Sequence, residues 1–90
     1  MFKSMREYVF SGVRVGVTVV SPGSPDKVGL GKVVKCAIEQ LIVPERPSSE
    51  GLAKQLWEVI EKEYQGVTRL QSVRVWEYFG SSTYWVEYSQ

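Results

Sequence analysis

Residues 13–20 read Val-Arg-Val-Gly-Val-Thr-Val-Val, with Val13, Val15, Val17 and Val19 recurring at period two. Successive side chains of an extended strand point to opposite faces, so this spacing gathers four β-branched residues on one buried side. Ser11-Gly12 precedes the run, and Gly12 supplies the positive φ that a tight hairpin turn needs. Upstream, Lys3 to Phe10 is rich in strand-compatible residues. A β-hairpin is expected to open the chain.

Beyond the hairpin, Ser21-Pro-Gly-Ser-Pro-Asp26 is dense in turn formers. Lys32 to Ile42 then predicts a short helix, because Val34, Ala37, Ile38, Leu41 and Ile42 share one stripe. Pro44 and Pro47 close it. Ser48 is an N-cap for a second helix, with Ser49 and Glu50 in its first turn, where the helix dipole favours a carboxylate. Leu52, Leu56, Val59 and Ile60 carry that helix to about Gln65, and Gly66 suits a left-handed C-terminal position. Val73 to Phe79 and Thr83 to Tyr88 alternate as strands about Gly80-Ser81-Ser82. The order is ββααββ. One α+β domain spanning residues 1–90 is predicted, a four-stranded antiparallel sheet with two helices on one face. Such a sheet has two open edges, and the last strand, Thr83-Tyr-Trp-Val-Glu-Tyr88, carries one charge and no proline to blunt it. Edge-to-edge association into a homo-oligomer follows as an expectation.

The totals narrow the function classes. Ninety residues, 43% of them hydrophobic and 23% charged, belong to a folded domain whose small core benefits from oligomer contacts. The net charge of +1 comes from basic residues scattered among acidic ones, so no one-sided basic surface forms and nucleic acid is not an expected partner. The apolar stretches are too short for a bilayer, and the opening MFKSMREYVF has no apolar core of signal-peptide length. A cytoplasmic location without membrane contact is the expectation. Cys36 is the single cysteine, which excludes an internal disulfide, and the chain has no histidine. The usual zinc ligand, the usual neutral-pH base and every Ser-His or Cys-His pair are therefore missing. Neither a metal nor a cofactor is expected.

Glu77 is the odd residue of its strand, sharing a face with Val73, Val75 and Phe79. A carboxylate ending an apolar row must reach solvent, pair with a cation or meet a hydrogen-bonding ligand. The plain reading is an ion pair with Arg6 or Arg14 across the sheet. The functional reading is recognition of a ring with adjacent N–H donors, such as a pterin or purine, since an ionised carboxylate accepts two such bonds side by side. Pro47-Ser-Ser-Glu50 is explained by capping alone, although two hydroxyls and free backbone N–H groups also suit ligand oxygens. Cys36, with no histidine to activate it, reads as a small packing residue. Trp57, Trp76 and Trp85 read as core or interface residues. Gly29-Leu-Gly31 completes no phosphate-loop pattern.

Taken together, Pro47-Ser-Ser-Glu-Gly-Leu-Ala53, Leu56-Trp57, Val73-Arg-Val-Trp-Glu-Tyr78 and the closing strand resemble the second half of the 6-pyruvoyl- and 6-carboxytetrahydropterin synthase family. That family carries a Pro-Thr-Ser/Ala-Glu-Asn-Leu/Ile-Ala helix start and a Val-x-Val-x-Glu-Thr strand, at similar spacing. The resemblance covers about half the chain. It implies the T-fold, in which subunits join sheets edge to edge into a barrel and two rings make a hexamer. It implies ligand sites between subunits, with Glu77 anchoring the pterin ring and Ser48, Ser49 and Glu50 offered from an adjacent subunit.

The departures point away from the family's reaction. Where its three zinc histidines belong, this chain reads Tyr8-Val-Phe-Ser-Gly-Val-Arg14. The family's Leu-Asp-His relay segment has no counterpart in Val43-Pro-Glu-Arg46, and its catalytic cysteine is absent from the expected place. Gly51 stands for the asparagine and Tyr78 for the threonine. The expectation is a degenerate paralogue with no catalytic residues, binding a pterin- or purine-like ring through Glu77. A structural T-fold oligomer without a ligand is the alternative, and a dihydroneopterin-aldolase-like enzyme using Glu, Tyr and Lys is a more distant third.

Overall fold

A computed structural model describes residues 1–42, 45–67, 69–79 and 82–90, with the backbone alone at residues 78, 79 and 82. Phe2–Phe10 (β1) and Val13–Ser21 (β2) pair antiparallel, with Phe10 opposite Val13. Ser11 and Gly12 between them have φ of 53° and 77°. Positive φ at both positions is what a primed hairpin turn demands, so the serine shares the strain expected of the glycine alone. Leu30–Leu41 (α1) and Ser49–Glu63 (α2) follow, then Arg69–Phe79 (β3) and Ser82–Ser89 (β4). The sheet order is β1-β2-β3-β4, every pair antiparallel. This is the expected ββααββ architecture, with β1 and β4 as edges and β3 in the interior. The second hairpin turn at Gly80-Ser81 and the helix stop at Pro44 lie outside the described residues.

One face of the sheet supplies Val13, Val15, Val17, Val19, Val73 and Val75 to a single core closed by Leu30, Val34, Ile38, Leu52, Leu56 and Ile60 of the helices. The valine row buries as its period predicts. Helix α1 begins at Leu30, earlier than the apolar stripe suggests, because Gly29 caps it from the left-handed region at φ 85° without a side-chain hydrogen bond. Ser48 caps α2 as expected: its hydroxyl accepts from the Gly51 N–H at 3.2 Å, a contact of the kind that contributes about 1 kcal/mol.

Two local expectations need correction. Gly66 is not a left-handed C-cap, since Gly12 and Gly29 are the described glycines with positive φ. Helix α2 stops at Glu63 because Tyr64 turns extended, at φ −87° and ψ 109°. That turn buries the Tyr64 ring and lets its hydroxyl donate to the Pro25 carbonyl, so tertiary burial outweighs another helical residue. Strand β3 also starts at Arg69 rather than Val73. The β2–β3 register slips between Thr18 and Val19, a bulge that seats Leu70 in the core.

Among the described residues, no helix covers the opposite face of the sheet. Its centre is Trp76, only 6% exposed, with the Arg14 guanidinium 4.3 Å and the Arg74 guanidinium 5.6 Å from the ring centroid. Arg74 also lies 4.7 Å from the Trp85 ring. Glu7 pairs with Arg14 at 3.2 Å and Glu87 with Arg74 at 3.6 Å. Gly16 lies beneath this stack, where a Cβ would come within 2.9 Å of the Trp76 ring and 2.6 Å of the Met5 methyl. No described helix is long and apolar enough to cross a membrane.

Candidate functional site

Glu77 lies on interior strand β3, two residues past the buried Val75, and directly opposite Tyr84 of β4. The first turn of α2 brings Ser49, itself buried, over the same spot. The Ser49 hydroxyl donates to the Glu77 carboxylate, and so does the Tyr84 hydroxyl. Both bonds favour the charged form and hold Glu77 below the usual carboxylate range; partial desolvation opposes them, and the nearby Arg46 adds to them. The same bond pushes the Tyr84 phenol up. Because the folded-state value is depressed, the cluster's contribution to folding is present above the ordinary carboxylate pKa. It is lost as pH falls through the lowered one.

A cleft of about 260 Å³ opens beside this carboxylate, lined by Gly12, Arg46, Pro47, Ser48, Ser49, Trp76 and Glu77. It combines an ionised acceptor pair, two hydroxyls and a guanidinium in a recess open to solvent. Such a set can bind a small polar ring by its edge.

Of the residues singled out from sequence, Glu77, Ser48 and Ser49 converge here within one chain. The resemblance placed the serines on an adjacent subunit. In this fold the chain's own α2 delivers Ser49 to Glu77, because α2 packs across β3 and β4. Glu50 is exposed and does not line the cleft. The ion pair of Glu77 with Arg6 or Arg14 is also corrected: Arg6 meets Asp26 at 3.2 Å and Arg14 meets Glu7 at 3.2 Å. Both arginines have nearer carboxylates on or beside their own hairpin. Tyr84 and Arg46 were missed. Tyr84 was not legible, since a turn read at Gly80-Ser81-Ser82 sets position 77 opposite position 85, whereas the observed register pairs Glu77 with Tyr84. Arg46 carries no pattern of its own.

Other candidates stand apart from this cleft. Cys36 is exposed rather than packed, because it sits outside the buried stripe of Val34, Ala37 and Ile38. Burial pushes the Tyr8 phenol up to about 12, with the Asp26 charge adding to the effect. Among the described residues, no group of three or more His, Cys, Asp or Glu could hold a metal ion. No family model, curated protein or solved structure matches this chain.

Proposed function

We propose that the cleft at Glu77 binds a flat heterocycle presenting adjacent N–H donors, of the pterin or guanine kind, without synthase chemistry. The observation that carries this reading is a carboxylate held ionised by Ser49 and Tyr84 at the mouth of an open polar recess. Its chemistry matches that of a ring edge with two N–H groups, and it agrees with the resemblance to the 6-pyruvoyl- and 6-carboxytetrahydropterin synthases. The chain is then a degenerate relative that keeps the ring anchor and lacks histidine for zinc and proton transfer.

The assembly belongs to the same proposal. Strands β1 and β4 are open edges, and pairing β1 of one copy with β4 of the next continues the sheet into a barrel, as in the T-fold hexamer. A second reading, an oligomer with no ligand, is favoured by the exposed Val9 and Trp85 on the uncovered face.

Titration calorimetry with guanine and with neopterin separates the two. The wild-type protein is expected to bind one of them, and Glu77→Gln to bind it roughly a hundredfold more weakly, because a donor then faces the ring's own donors. Sedimentation of both proteins is expected to give the same species, several times the monomer mass. No binding by the wild type leaves the ligand-free reading in place, and a well-behaved monomer removes the barrel. Dihydroneopterin triphosphate is expected to be left unturned over.

A further inference from the structure

Tyr84 faces Glu77 directly across the β3–β4 ladder and donates to its carboxylate, yet it does not line the cleft. Ser49, which donates to the same carboxylate, is buried and does line it. The carboxylate is thus gripped from two elements, one inside the recess and one outside. A carboxylate offers about four lone-pair sites on its two oxygens. The two protein donors take about half of that capacity, and Glu77 itself lines the recess.

We propose that Tyr84 is a positioning residue for the binding site. Its hydroxyl, acting with that of Ser49, locks the Glu77 carboxylate in one orientation so that the remaining lone pairs meet a ligand's paired N–H groups. This rests on the ring-binding reading given above. Glutamate is rotamer-rich, and a side chain fixed before binding spares the ligand the cost of ordering it. Tyrosine suits the task, because a strand partner with two torsions is itself held by the hairpin register. The titratable or charged groups that face Glu77 among the described residues are Tyr84 from β4 and Arg46 from the segment ahead of α2. The first turn of α2 adds the neutral Ser49, and the β1–β2 turn adds Gly12.

The test compares wild-type protein and Tyr84→Phe in guanine and neopterin titrations across acidic to neutral pH, with carboxyl-carbon NMR following Glu77 in the free proteins. At neutral pH the variant is expected to bind the ring that the wild type binds roughly two- to tenfold more weakly, the effect of one net hydrogen bond. Glu77 is expected to titrate at higher pH in the variant, and the acid limb of binding should move up with it. A mere packing role for the ring would not move that limb. Weaker binding with the acid limb unmoved overturns the proposal, as does tighter binding by the variant, which would make Tyr84 an obstruction. Absence of binding of both guanine and neopterin by both proteins removes the ring reading, and the positioning role falls with it. Binding by the wild type with no change in the variant removes the positioning role alone.

Discussion

Leu56→Ala is expected to lower the free energy of unfolding by about 3 kcal/mol, within the range seen when a fully buried leucine is truncated. Leu56 is 0% exposed at the middle of α2, the helix that packs on β3, β4 and α1 together. Truncation there removes apolar burial and leaves a void bounded by three elements that cannot all close in. A domain of this size has a total stability of about 5–13 kcal/mol, so the loss is a large share of it. The melting temperature should fall by about 12–24 °C at fixed protein concentration. Val59→Ala, one turn along on a half-buried position, should cost under half as much. Urea unfolding of both variants checks the pair, and a Leu56→Ala loss below about 1 kcal/mol would show that α2 does not seat on the sheet as described.

Trp57 presents a similar burial with a polar defect. Its ring is buried and meets Tyr88 edge-on, with centroids 5.6 Å apart and planes at 72°. Its Nε1 is buried without a hydrogen-bond partner among the described residues. Trp57→Ala is expected to cost about 3–4 kcal/mol through lost packing. Trp57→Phe should cost about 1 kcal/mol or less. The smaller ring keeps the aromatic contact, worth about 0.5–1.5 kcal/mol, and it removes a donor whose unpaired burial costs about 1–3 kcal/mol. The contrast between the two variants is the diagnostic quantity, again by chemical unfolding. Equal losses would mean that Nε1 has a partner whose removal matters.

Where period and turn chemistry act locally, the chain was readable from its letters. The valine row of β2, the Ser11-Gly12 turn, the Ser48 cap and the ββααββ order all depend on residues within a few positions of one another. The failures share a different character. Helix α2 ends where it does because of Pro25, 39 residues away from Tyr64 in the chain, and no local pattern announces that contact. Leu70 has the wrong parity for the face of Val73 and Val75, and a bulge against β2 restores it. The start of α1 was masked by a glycine cap with no polar side chain to signal it. At the candidate site, Glu77 stood out because a charge interrupts an apolar row. Its partners Ser49 and Tyr84 come from other elements, so the clamp became visible only once the strands were in register.

Guanidinium and indole planes alternate on the uncovered side of the sheet, and the three tryptophans form a graded set of fluorophores. Trp57 is shut inside the core and Trp76 lies beneath two arginines, while Trp85 remains 51% exposed. A small neutral quencher in solution therefore reaches Trp85 and is kept from the other two. Anything laid over that side of the sheet, a second copy included, screens Trp85 and leaves Trp57 as it was. The emission of one residue thus reports coverage of the sheet separately from loss of the fold.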